Sequence, residues 1–449
     1  MADSDLRWGT HLHNLLTARN AQRWSVALVV LLGLFLRLYA AWLVNQHQPD
    51  SPARLIGDEP GYNNTALELL RGEGFTWLGR VPLYPAWLAS VHWLTGTSYH
   101  ALRYAQAFLG ATTVLLTYLL GRRVFGHTVG LLTALLTAGS YVLIQQSIHL
   151  LSEVLFTPVV MLTALALWNG FQAPSKRAFA LAGVCIGLSD LIRPTLLMLP
   201  VFLVFPLAMA MGWRHALRWG SVVVIATLIV IGPWLIHLRL RYHAWIPLAT
   251  SNAILWQGSP EYYRLLHDQG YTYMRIWSEV IYGPGWQQHD PTSVEGDRWW
   301  TARAIRSIKA DPLTYLKFAT EKAGTYWVGD PNADWNNERV FSYRALLRAG
   351  FSRPAANAVM IGRLMPVLAL VAIFALWRER RRLLPIYAIL LYCTLLHAAT
   401  HAEVRLSEPF HPLLWMLVTG AAVSWWNRIF TSPAASLPHP AYTGSPHLD

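Results

Sequence analysis

Two carboxylates stand side by side in Gly57-Asp58-Glu59-Pro60-Gly61-Tyr62, shortly after a long apolar run. A carboxylate at the outer edge of a membrane can take a proton from a hydroxyl, so Asp58 reads as a general base, with Glu59 beside it. The same site suits a helix N-cap, because Pro60 falls in the first turn of a helix patterned by Tyr62, Ala66, Leu69 and Leu70. A capping position would hold the carboxylate rigidly, so the two readings coexist. Arg80 precedes Val81-Pro82-Leu83-Tyr84-Pro85. It is placed at headgroup depth, where a guanidinium either grips a phosphate or snorkels among lipids. Arg37 lies inside the first apolar run, about 12 Å below its outer end at 1.5 Å per residue. An arginine at that depth needs a partner or a wet cavity, and Asp58 is one candidate partner.

Further charges cluster at the same membrane face. Ser152-Glu153 opens an apolar run just after His149. Glu153 reads as a helix N-terminal acid or as a second cavity carboxylate. His149 and Glu153, four apart, could share a metal, but two ligands make a weak site. Asp190 and Arg193 are spaced for a local ion pair. His401-Ala402-Glu403-Val404-Arg405 precedes the last apolar run and sets another cation at phosphate depth. No Walker loop, dinucleotide fingerprint, His-Glu-x-x-His or Gly-x-Ser-x-Gly is present.

The elements that must position these residues follow from composition. The 449 residues are 54% hydrophobic and 13% charged, which excludes a disordered or disulfide-stapled chain and argues for an all-α polytopic membrane protein. The two cysteines, Cys185 and Cys393, both fall in apolar segments. The net charge of +12 speaks for membrane topology rather than nucleic acid. Taking about 20 apolar residues per crossing gives about ten spans. They fall near 24–45, 101–121, 128–149, 152–171, 178–193, 194–212, 217–238, 356–377, 383–399 and 409–427. Arginines and lysines crowd one set of ends: Arg19, Arg23, Arg122, Arg123, Lys176, Arg177, Arg214, Arg218, Arg378 to Arg382 around Glu379, and Arg428. The positive-inside rule then puts both termini in the cytoplasm. The expected organisation is a cytoplasmic N-terminus (1–23), a bundle (24–238) with an outer loop at 46–100, a large non-cytoplasmic loop (239–355), closing helices (356–427) and a disordered cytoplasmic tail (428–449). Interfacial helices are expected in both outer loops, in the second around 298–310 and 312–327.

With these residues in hand, the sequence resembles the GT-C integral-membrane glycosyltransferases, in the bacterial branch related to protein O-mannosyltransferases and aminoarabinose transferases. The Asp58-Glu59 pair, Tyr62 and the basic residue before Pro-Leu-Tyr-Pro carry the likeness. Ser251-Asn252 to Pro260, Ala304 to Trp327 with Asp311-Pro312 and Lys322, and Arg405 with Pro409 and Pro412 extend it. The resemblance implies that Asp58 is the catalytic carboxylate, that Arg80 and Arg405 hold a lipid phosphate, and that Glu153 is the second acidic position. Arginine stands where the family more often has lysine before the prolines, and it keeps the charge.

The implied activity is transfer of a hexosyl or pentosyl group from a polyprenyl-phosphate donor to an acceptor hydroxyl at the outer (periplasmic) face of a bacterial inner membrane. Arg80, Arg405 and Arg37 would stabilise the leaving phosphate, and Asp58 would take the hydroxyl proton, with inversion. Glu153, Tyr62, His149 and Arg193 are the other cavity candidates. The acceptor is open between lipid, glycan and protein. No cofactor is called for, since arginines supply the positive charge; a divalent metal is not indicated. A lipid-linked-sugar flippase or an oligosaccharide ligase is the alternative. Intramembrane charge suits a transporter, but the chain shows no internal repeat.

Overall fold

The computed structural model of the chain describes residues 2–250, 253–283, 289–329, 343–348 and 350–430. All regular structure among them is helical. In chain order the helices are α1 (Ala2–His47), α2 (Glu59–Leu70), α3 (Leu83–Thr95), α4 (Tyr99–Phe125), α5 (His127–Ala138), α6 (Tyr141–Gln145), α7 (Glu153–Gln172), α8 (Lys176–Ile192), α9 (Leu199–Phe202), α10 (Val204–Met211), α11 (Trp213–Tyr242), α12 (Pro260–His267), α13 (Tyr273–Arg275), α14 (Val294–Ala310), α15 (Pro312–Val328), α16 (Tyr343–Arg348), α17 (Arg353–Ala375), α18 (Arg380–Ala399), α19 (Val404–Ser407) and α20 (His411–Phe430).

Among the described residues six helices are long and apolar enough to cross a membrane: Asn20–His47, Tyr99–Phe125, Glu153–Gln172, Trp213–Tyr242, Arg353–Ala375 and Trp377–Ala399. The chain is a polytopic all-α membrane protein. All ten expected spans are overlaid by helix, but α5, α8, the broken α9–α10 pair and α20 fall short of that standard. Helix α1 runs without a break through residue 23, the expected end of the cytoplasmic N-terminus. The expected tail beyond residue 430 lies outside the described residues.

Short polar signals set the helix ends. Ser98, Ser175, Ser259, Ser293 and Ser352 each accept a backbone N–H two or three residues into the next helix, as does Asp311 at the start of α15. Small residues set the packing. A methyl on Gly183 of α8 would come within 2.5 Å of Val223 O on α11, so only glycine admits that approach. The main core gathers buried residues of α4, α7, α8, α18 and α20, including Leu102, Phe156, Ile186, Ile389 and Leu413.

The segments between the long helices pack as well. The helices expected near 298–310 and 312–327 are α14 and α15. They close over Trp256, Tyr262, Trp300 and Phe318, a small aromatic core of their own. The helix expected after Asp58 is α2, which buries Tyr62 and Ala66 and also the polar Asn63 and Thr65.

Direction along the bundle matters for the site. Gln172, at the end of α7, donates to Arg382 O at the start of α18 (3.3 Å). Arg382 also reaches Val124 O at the end of α4. The arginine-rich ends therefore meet at one pole. Glu153 at the start of α7, Arg193 just past α8 and the end of α18 meet at the other.

Candidate active site

At the second pole lies a cavity of about 680 Å³. Its wall is built from five stretches: the turn into α2, residues 77–81, the break after α8, the segment between 249 and 282, and residues 396–406. Gly57, with φ +57°, makes the turn that delivers Asp58 to this wall. Asp58 occupies the N-cap position, yet its side chain makes no capping bond. Its Oδ1 accepts from Arg80 Nη2 (2.8 Å) and its Oδ2 from Arg405 Nη2 (2.9 Å). The carboxylate is thus clasped between the two arginines expected to hold phosphate.

Each arginine is positioned in turn. The Arg80 guanidinium sits 4.7 Å from the ring centroids of both Tyr62 and Trp77. Trp77 is itself wedged against two glycines; a methyl on Gly61 or Gly79 would approach its ring to 2.5 or 2.9 Å. Arg405 Nε lies 3.5 Å from Glu153 Oε1 and 3.7 Å from Glu403 Oε2. Glu153 Oε1 also receives Arg193 Nη1 at 2.7 Å, and Arg193 reaches Ser152 Oγ (3.3 Å). The Tyr62 hydroxyl pairs with the same Ser152 oxygen (3.0 Å). Glu403 accepts from His401 Nε2 (2.8 Å), and His401 stacks on Tyr273. Three acids and three arginines thus alternate through one network, in which Asp58, between Arg80 and Arg405, is the most exposed of the acids.

Burial alone would raise the Asp58 pKa, but the charges of Arg80 and Arg405 more than offset it and hold the carboxyl below its ordinary range. Burial would likewise raise Glu403; the His401 hydrogen bond and the charges of His401 and Arg405 bring it down to about 2. At neutral pH Asp58 and Glu403 therefore stand ionised beside the arginines. Arg80, Arg193 and Arg405 line the cavity and both Asp58 oxygens are already engaged by arginine, so the wall offers guanidinium donors of the kind that hold a phosphate. Among the described residues no three His, Cys, Asp or Glu side chains gather to ligate a metal.

Several expected positions fall elsewhere. Arg37 is fully buried and does not reach the cavity wall. It donates to Thr137 O (3.2 Å) and Ala138 O (3.1 Å), the last carbonyls of α5, and to Gly33 O (2.9 Å). Because α5 stops at Ala138, its unpaired carbonyls are the acceptors that an intramembrane arginine needs. Glu59 is buried off the wall. It accepts from His149 Nδ1 (3.2 Å) and from the backbone N–H groups of Leu150 (2.8 Å) and Ile56 (2.9 Å). It ties α2 to the turn before α7, and His149 serves that clasp instead of pairing with Glu153. Glu153 is itself buried behind the wall, where it steers Arg193 and Arg405. The expected Asp190–Arg193 pair does not form; Asp190 accepts from Leu196 N (3.0 Å) across the break after α8. Tyr62, Arg80, Arg193 and Arg405 do line the cavity with Asp58. Of the stretch Ser251 to Pro260, the first two residues lie outside the described set.

Trp77, Tyr273 and Trp277 also line the wall, and no motif marks them. The glycines flanking Trp77 in sequence and space were the available signal; Tyr273 and Trp277 lie in a segment with no periodic pattern.

Comparison with known proteins agrees with this architecture. The sequence model of the dolichyl-phosphate-mannose-protein mannosyltransferase family matches residues 80–237. That stretch contains Arg80, Glu153 and Arg193 but ends short of Arg405. The undecaprenyl phosphate-alpha-4-amino-4-deoxy-L-arabinose arabinosyl transferase of Pseudomonas aeruginosa strain UCBPP-PA14 is 30% identical over 235 residues, 49% of this chain and 41% of that protein. Its counterpart in strain LESB58 is 33% identical over 153 residues, 32% and 28% of the respective chains. The chain thus spans less than half the length of these curated relatives. The apo oligosaccharyltransferase of Archaeoglobus fulgidus superposes with a TM-score of 0.52 at 17% identity, covering 91% of this chain and 51% of that one. At that identity the likeness is one of fold. In sequence the chain resembles the mannosyltransferase family across residues 80–237 and the arabinosyl transferases across about half of its length, and in fold it resembles the archaeal oligosaccharyltransferase across nine-tenths of its length.

Proposed function

We propose that the protein transfers a glycosyl group from a polyprenyl-phosphate donor to an acceptor hydroxyl at the outer face of a bacterial inner membrane. One observation carries the reading: two arginines remote in sequence converge on a single carboxylate at the wall of a cavity at the bundle pole opposite the basic ends. The positive-inside rule puts those basic ends in the cytoplasm, with both termini, and the cavity at the periplasmic face.

The same geometry suggests how the groups work. A donor phosphodiester offers Arg80 and Arg405 an alternative to Asp58. As the phosphate takes them, the carboxylate loses the two cations that held its proton affinity down, and a negative group comes beside it. Asp58 then becomes a stronger base at the moment the donor is in place. The acceptor oxygen attacks the anomeric carbon, and its proton passes to Asp58. The bond from that carbon to the phosphate oxygen breaks, and the lipid phosphate leaves with the bonding pair, stabilised by the guanidiniums. A single displacement inverts the anomeric centre. The acceptor class stays open between lipid, glycan and protein.

Purified protein in lipid, given a mixture of polyprenyl-phosphate sugars and a membrane extract, tests this. Release of polyprenyl phosphate by the wild type and its loss in Asp58→Asn is the expected result. Intact donor with translocation of the lipid-linked sugar in sealed vesicles would replace the transferase reading with a flippase.

A further inference from the structure

One polar side chain of the cavity wall keeps a buried ring nitrogen out of the charged network. His397, in the last turn of α18, lines the cavity and is 8% exposed. Its Nδ1 hydrogen is donated to His401 O at 2.9 Å, and its ring stacks on Tyr326 with centroids 4.5 Å apart and an interplanar angle of 15°. Those two contacts fix the ring's orientation and put the hydrogen of the neutral imidazole on Nδ1. Nε2 is then a lone-pair acceptor. It is buried and has no hydrogen-bond partner among the described residues. A buried acceptor without a donor is uncommon, because its lost hydration is not replaced.

The surroundings narrow what Nε2 can receive. A phosphate oxygen is also an acceptor and would be repelled, while the arginines of the same wall offer it donors. The matching partner is an O–H or N–H group on a ligand that reaches the wall beside the phosphate site. His397 is tied to that site by a short chain of contacts, from the His401 carbonyl through the His401 ring to Glu403, Arg405 and Asp58. On the donor reading above, the group attached to the phosphate there is the sugar. We propose that His397 Nε2 accepts a hydrogen bond from a hydroxyl or amino group of the transferred sugar, and so recognises the glycosyl part of the donor rather than its phosphate.

The test compares three probes on full-length protein in lipid nanodiscs: undecaprenyl phosphate, undecaprenyl-phosphate glucose and undecaprenyl-phosphate 4-amino-4-deoxy-arabinose. Each is titrated against wild type, His397→Leu and His397→Gln. Leucine removes the acceptor, and glutamine returns an oxygen at similar reach. The expected result is that His397→Leu leaves bare undecaprenyl phosphate within about twofold and weakens a sugar-bearing form by about tenfold or more, with His397→Gln recovering most of the loss. Loss with the glucose form assigns a hydroxyl partner; loss confined to the amino form assigns the amine. Equal weakening of all three probes would reduce His397 to a packing residue and overturn the proposal, as would no weakening of any. A wild type that fails to bind bare undecaprenyl phosphate would overturn the donor reading itself, and this inference with it.

Discussion

With both Asp58 oxygens held by arginine, Asp58→Asn acts in two directions at once. It removes the proposed base, so transfer is expected to fall by roughly 100-fold or more, the range that general bases contribute. It also removes the anion that competes for Arg80 and Arg405, so bare polyprenyl phosphate is expected to bind at least as tightly as to wild type. Arg80→Ala is the complement. It deletes a charged donor to the phosphate, worth about 1.5–3 kcal/mol, and is expected to weaken lipid-phosphate binding by roughly 10- to 100-fold. Calorimetric or fluorescence titration of the lipid phosphate separates the two variants, and weaker binding by Asp58→Asn would show that the carboxylate and the phosphate do not compete. The contrast also marks what the residues reveal unaided. Asp58, Arg80 and Arg405 were legible because charged types at a membrane face have few other uses. Glu59 is harder to place, because adjacency in sequence hides direction: on α2 its side chain bonds Leu150 N while that of Asp58 bonds Arg80 at the cavity wall.

Among the elements, α15 has the clearest energetic signature. Its Lys322 is buried and donates to Thr400 O (2.6 Å) and Gly258 O (3.3 Å), while Tyr315 donates to Ala399 O (2.9 Å). Two side chains of one helix thus close the end of α18, from which the Arg405 loop departs. No carboxylate pairs with Lys322 among the described residues, and burial lowers its pKa to about 7. An unfolded lysine titrates near about 10.4, so between these values the unfolded chain binds more protons and stability rises with pH. Unfolding midpoints measured across that window should therefore climb in wild type and climb less in Lys322→Met. An identical slope in the two proteins would remove Lys322 as the source. The element scale is also where sequence pattern gave out. Periodicity revealed α14 and α15, but nothing in it said that α5 would stop at Ala138 and present its carbonyls to Arg37. An arginine's depth can be counted along a span; its partner depends on where a neighbouring helix ends.

For the molecule as a whole, the basic pole and the cavity pole lie at opposite ends of α7, about 30 Å apart at 1.5 Å per residue. Topology then becomes measurable. The native thiols, Cys185 and Cys393, are buried, so an introduced cysteine is read against a quiet background. Gln48→Cys, in the loop after α1, is expected on the proposed orientation to react with an impermeant maleimide added outside intact cells. Arg123→Cys, at the basic pole, should react only after the membrane is opened. The reverse pattern would put the cavity in the cytoplasm and remove the proposed use of an outward-facing donor. Composition and charge made the helical bundle and its poles legible. The outer wall was not legible, because residues such as Tyr273 reach the cavity through irregular backbone that no repeat announces.

The clasp on Asp58 bears finally on how a cycle ends. On the proposed reaction the spent polyprenyl phosphate is left on Arg80 and Arg405 with more negative charge than the donor brought, and a grip that tight would stall turnover. Asp58 is tethered beside those arginines at a high effective concentration. Once it gives up its proton it can reclaim them, so the carboxylate that opens the reaction also ejects the product and returns the carrier lipid to the membrane for recharging.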